Sequence, residues 1–105
     1  MDNSLPMNLE LGRRIEAIRP LPNHRLFVRW TNGGEAVVDL ADDIANGPVF
    51  RPLRDERLFA QVELSDDGRV IAWPEPRNEF GPLIDIDADG LWFTAQEQRR
   101  AVAAE

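Results

Sequence analysis

The chain has no cysteine, no lysine, a single histidine and no apolar run approaching the roughly 20 residues of a membrane span. The first absence excludes disulfides, thiol catalysis and cysteine-ligated zinc or iron–sulfur clusters. The lone imidazole, His24, has no second histidine with which to share a metal and no Ser or acid at motif spacing. It reads as a solvated turn residue. Without lysine, all twelve basic side chains are arginines, whose planar forks suit carboxylates. The cationic surface is therefore expected to be paired with the 19 acids. Residues 1–6 lack the basic start and hydrophobic stretch of a signal peptide, so a cytoplasmic location is expected.

A length of 105 residues suits one domain with one modest core. With 43% hydrophobic residues in short clusters, the chain exceeds what a disordered segment would hold, so it is read as folded. The formal net charge of −7 repels phosphate backbones and favours a basic partner. Direct nucleic-acid binding is disfavoured.

Residues 1–11 read as an N-terminal arm, 12–93 as an α+β domain and 94–105 as a C-terminal helix. Strands are expected over 15–20, 25–30 and 35–39. In the second of these Leu26, Val28 and Trp30 share one face, and Asn32-Gly33-Gly34 supplies the positive-φ residues of a hairpin turn. Residues 40–46 suit a short helix stopped by Gly47-Pro48. Asp55 is an N-cap for a helix over 56–61 that docks through Leu58, Phe59 and Val62. Strands over 62–64 and 69–73 flank the turn Ser65-Asp66-Asp67-Gly68, and Pro74 and Pro76 are expected to end the second. An edge strand over 83–86, a turn at Asp89-Gly90 and a last helix capped by Thr94 complete the reading. The predicted fold is a single α+β domain: an antiparallel sheet built from two hairpins, short helices on one face and a C-terminal helix.

An opening strand with Arg19-Pro20-Leu21-Pro22-Asn23, the Asn-Gly-Gly hairpin, Val37-Val38-Asp39-Leu40, the segment Gly47-Pro-Val-Phe-Arg-Pro-Leu-Arg-Asp55, and Val70-Ile-Ala-Trp-Pro74 followed by Asp85-Ile-Asp-Ala-Asp89 come together in this chain. In these motifs it resembles the bacterial domain of unknown function 2442 family. The resemblance implies a small α+β domain with an antiparallel sheet. It also implies, by analogy, a transcription-associated or toxin–antitoxin-like setting, since some members add a helix-turn-helix segment. The eleven residues after Thr94 are too few for that addition.

Among candidate sites, Asp85, Asp87, Asp89 and Gly90 fall at positions 1, 3, 5 and 6 of a calcium loop. Position 12 is Gln96 rather than the bidentate glutamate, so a metal site is not expected. The adjacent acids Asp42-Asp43 and Asp66-Asp67 diverge and read as solvated helix-start and turn residues. Arg51, Arg54 and Arg57 recur every three residues and form either an anion clamp or a solvated face with local ion pairs. Trp73, Phe80, Trp92 and Phe93 divide between core and contact patch. No nucleophile–base pair, phosphate loop or cofactor motif is present. The expectation is thus a non-enzymatic protein-interaction or regulatory module with a basic protein partner, using Arg51, Arg54, Arg57, Trp73, Trp92 and Phe93, with homo-oligomerisation left open. The alternatives are a small enzyme or anion-binding domain with a cleft formed by His24, Arg51, Arg54 and the 85–89 acids, or a calcium-stabilised domain.

Overall fold

A computed structural model describes residues 12–103; the expected arm, residues 1–11, lies outside them. Alternation builds the first sheet. Arg25–Trp30 (β2) buries Leu26, Val28 and Trp30, and pairs antiparallel with Ile15–Leu21 (β1) on one side and Glu35–Asp39 (β3) on the other. Its register sets Pro20, Leu26 and Val38 on the core side and Arg19, Phe27 and Val37 on the opposite face. The β2–β3 turn is held by the Asn32 side chain, which accepts from the Gly34 amide at 2.8 Å. Gly33 sits there at φ +93°, where an L side chain is strained.

The connection to the second sheet is helical in three short pieces. Ala41–Asn46 (α1) inserts Ile44, a 3-10 turn over Pro48–Arg54 inserts Leu53, and Glu56–Phe59 (α2) inserts Phe59. Asp55 is the predicted cap, its carboxylate accepting from the Arg57 amide at 2.9 Å. The helix it starts is shorter than predicted, and Leu58 and Val62 pack half-buried against the core.

Glu63–Ser65 (β4), Val70–Asn78 (β5) and Gly81–Asp87 (β6) form a second antiparallel sheet in the order β4-β5-β6. The α+β class and both expected hairpins hold, but the hairpins stand in two separate three-stranded sheets rather than in the one sheet expected. Two boundaries differ from the sequence reading. First, Pro74 and Pro76 do not end β5. Between the pairs Trp73–Ile84 and Arg77–Pro82, β5 advances four residues while β6 advances two, so the prolines occupy a bulge outside the ladder, where no amide donor is needed. Second, Asp89-Gly90 is no turn and Thr94 no cap, because the last helix, Ala88–Ala103 (α3), is already under way there. Asp87 supplies the N-terminal bond instead, its carboxylate accepting from the Gly90 amide at 3.3 Å.

Two indoles join the layers. Trp30 and Trp73 are buried; the first donates to the Ala88 carbonyl at 3.3 Å and the second to the Phe59 carbonyl at 2.8 Å. Sheet one is thereby tied to the start of α3, and sheet two to the end of α2. Each buried N–H finds an acceptor, as burial requires. Among the described residues no helix is long and apolar enough to cross a membrane.

Candidate functional site

The predicted site residues separate once the chain is folded. Trp73 leaves the contact patch altogether, because it is fully buried between Phe59 and Ile84 in sheet two. Trp92 and Phe93 stay together on the first half of α3. Trp92 is half-buried, edge-on to Trp30 at 5.0 Å between ring centroids, whereas Phe93 is 41% exposed. The Arg13 guanidinium lies 4.6 Å from the Trp92 ring and 5.7 Å from the Phe93 ring. It is held there by Asp89, which accepts from the amides of Gly12 at 2.8 Å and Arg13 at 3.1 Å and from the Arg13 side chain at 3.4 Å. Burial pushes the Asp89 carboxyl up, but those amide bonds and the Arg13 charge together outweigh it and hold the group below its ordinary value.

The aspartates do not converge. Asp89 is engaged with Gly12 and Arg13, Asp87 caps α3, and Asp85 is exposed on β6. Among the described residues no three acids or imidazoles are grouped to hold a metal ion. The arginine triplet is likewise divided. Arg51 and Arg54 share the 3-10 turn, where a three-residue spacing places them on one side, but Arg57 belongs to α2 beyond the Asp55 break. Arg54 donates to the Ala45 carbonyl at 2.7 Å, a cationic cap on the C-terminal end of α1. His24 is a turn residue, as expected, at φ +59°, but it is only partly exposed. Its ring packs edge-on against Phe59 at 5.1 Å and its Nε2 is buried. Among the described residues no hydrogen bond or ion pair joins His24, Arg51 or Arg54 to Asp85, Asp87 or Asp89.

Two features arise that motif spacing does not show. An open cleft of about 490 Å³ lies where β1 meets the β4–β5 turn, lined by Arg14, Glu16, Thr31, Ser65, Asp66 and Asp67 among others. Arg14 and Asp67 are paired across it at 3.1 Å. Among the described lining residues Ser65 has neither imidazole nor amine beside it.

The second feature is the outer part of the β5–β6 hairpin, residues 74–83. Here Phe80 is 88% exposed, more than any other large apolar side chain among the described residues, and Leu83 is 53% exposed. The Asn78 carboxamide accepts from the Phe80 amide at 2.8 Å, so the backbone is fixed while the ring stands in solvent. The signal for this turn was present as Asn78-Glu79-Phe80-Gly81, an Asn first and a Gly fourth. It is masked in sequence by the prolines on either side.

None of the curated proteins matches the chain. The crystal structure of a putative DNA binding protein from Nitrosomonas europaea has the same fold, with a TM-score of 0.67 and 23% identity over 85% of this chain. The chain spans about half of that protein, 52% of its length. From the first residue of β1 into the middle of α3, residues 15–97, the sequence matches the proteins of unknown function DUF2442, and the chain belongs to that family.

Proposed function

We propose that this chain is a non-enzymatic protein-interaction module whose contact surface is the β5–β6 ribbon. The observation that supports this reading is Phe80, an aromatic ring 88% exposed at the end of a ribbon whose backbone is fixed, with Leu83 on the same ribbon. A rigid aromatic placed outside the core loses little entropy on docking and is the usual form of an interface anchor. Glu75, Glu79 and Asp85 outnumber Arg77 along the same ribbon, and with the net charge of −7 they favour a basic protein over a phosphate backbone. The Nitrosomonas europaea protein is described as DNA binding, and this chain spans only half of it; a regulatory partnership in which DNA is contacted by other polypeptide agrees with both facts.

The test is recovery of partners from the native host at moderate salt, with the wild-type chain and with Phe80→Ser. The wild type is expected to retain a stoichiometric protein that Phe80→Ser loses at least tenfold, while the melting temperatures of the two baits agree. Equal recovery by both baits, or no stoichiometric protein with either, would refute the proposal.

A further inference from the structure

Two three-stranded sheets have four edges, and one of them, β3, is closed by side chains of a helix. The β3 edge is closed by α3: the Gln98 carboxamide accepts from the Asp39 amide at 3.0 Å and donates to the Asp39 carbonyl at 2.9 Å, and Arg99 donates to the Glu35 carbonyl at 3.3 Å. Side chains there do what a neighbouring strand would do. The start of β1 meets the turn that follows β4, with Gly68 packed on the Ile15 backbone and Arg14 paired with Asp67, but these contacts lie at the strand ends and leave the outer edges of both strands without such a cover among the described residues. The outer edge of β6 is likewise without a hydrogen-bonded strand or side chain among the described residues, and it is the one of these edges that exposes two aspartates.

The groups this edge presents follow from the ladder. The Ala88 amide donates to the Arg69 carbonyl at 2.7 Å, so the bonded pairs continue as Ile71 with Ile86 and Trp73 with Ile84. The intervening residues Leu83 and Asp85 therefore turn both backbone groups away from β5, as Asp87 turns its amide. Native sheets protect such edges with bulges, prolines, charged side chains or a cover, and here the charges are all of one sign, which opposes pairing with a like-charged strand and favours one of opposite charge. The exposed side chains along the β6 edge are Pro82, Leu83, Asp85 and Asp87, with Glu63 in line with Asp85 across Ala72; the proline blunts only the tip end, and Leu83 to Asp87 remain.

We infer that the β6 edge takes an extended segment of a partner protein bearing Arg or Lys at alternate positions, which joins the sheet as a fourth strand. This rests on the protein-interaction reading above and names its mode and partner chemistry. Backbone pairing supplies the attachment, and opposite charges facing Asp85 and Asp87 select the partner. A second copy fits less well, because pairing two β6 edges about Asp85 would set that carboxylate against itself.

The probes are two synthetic seven-residue peptides, one alternating valine with arginine and the other valine with glutamate, added to the full chain up to about 1 mM. Amide hydrogen exchange and NMR shifts are read at Leu83, Asp85 and Asp87. In the free protein these three amides are expected to exchange fast, and the arginine peptide to protect them. The glutamate peptide should bind at least about tenfold more weakly, the effect of two like-for-opposite charge pairs. Asp85→Asn, which keeps the side chain's shape, should remove about half of that preference, and Asp85→Asn together with Asp87→Asn should remove most of it. Protection already present in the free protein would mean that the edge is covered by another part of the chain or by a second copy, and would overturn the inference. Equal binding of both peptides, or none, would also overturn it. Failure here with an intact Phe80-dependent partner removes the edge mode alone, whereas peptide binding with Phe80-independent recovery removes the ribbon reading and leaves the edge.

Discussion

Gly68 is the point at which the second sheet touches the first, and its replacement by alanine separates two physical costs. The residue sits at φ +83°, and a Cβ built there would overlap the Ile15 carbonyl oxygen. Gly33 has a similar φ of +93° but no atom within 4 Å of the corresponding position. Gly33→Ala thus meets conformational strain alone, about 1–2 kcal/mol, offset in part by the smaller entropy of the unfolded alanine chain. Gly68→Ala meets the same strain plus a backbone collision, and relieving the collision must move the β4–β5 turn off β1. Overpacking of that kind adds about 1–3 kcal/mol. The expected loss is therefore about 1 kcal/mol for Gly33→Ala and about 2–4 kcal/mol for Gly68→Ala, or roughly 8–25 °C in melting temperature for the latter. Urea unfolding of both variants at pH 7, monitored by tryptophan fluorescence, measures the difference. Equal losses would mean that the turn yields freely and that the contact between the sheets is not a fixed junction.

Two more substitutions check the bonds that tie the layers. Trp73→Phe keeps an aromatic ring but removes the 2.8 Å bond to the Phe59 carbonyl, leaving that oxygen a 3.4 Å contact from the Val62 amide. Urea midpoints should show a loss of about 1–3 kcal/mol, and a loss under about 0.5 kcal/mol would mean that the indole bond contributes nothing net. Asp89→Asn should cost roughly 2 kcal/mol at pH 7, because the charged acceptor for Gly12 and Arg13 becomes a neutral one. The folded carboxyl is held below its ordinary value of 3.8, so its stabilisation is present above that pH and is lost as the pH falls through the lower folded value. The gap between wild type and Asp89→Asn should accordingly narrow on acidification below about pH 4; a gap independent of pH would show that the carboxylate charge plays no part.

The elements that sequence reading recovers are those specified by neighbours within a few residues. Leu26, Val28 and Trp30 alternate because a strand with one buried face demands it, and Gly33 and Asp67-Gly68 turn because few other residues tolerate positive φ. Asp55 caps because its side chain reaches an amide two residues on. The two misplaced boundaries depend instead on distant partners. Pro74 and Pro76 end a strand only if the ladder needs their amides, and the bulge opposite Leu83 removes that need. Asp89-Gly90 reads as a turn until Gly12 and Arg13, more than 70 residues away, bring their amides to the carboxylate and Asp87 caps the helix.

The candidate surface was harder to read for the same reason, and the cause lies in aromatic placement. Trp73, Phe80, Trp92 and Phe93 look equivalent as side chains, but exposure depends on which element each one reaches. Trp73 sits on the middle strand of sheet two and is covered from both sides, whereas Phe80 lies on the same hairpin seven residues on, past the bulge and outside the sheet. The prolines that seemed to end β5 are thus what carry the chain out to an exposed tip. A bulge re-aims a strand without ending its pairing, so Pro74 and Pro76 connect the folding of this domain to its exposed hairpin tip. The three arginines follow the same logic in reverse: a regular spacing suggested a clamp, but the Asp55 cap places Arg57 on a new helix and the end of α1 engages Arg54. Regular spacing predicts a shared surface only while one element continues, and here each interruption of an element decides which residues can act together.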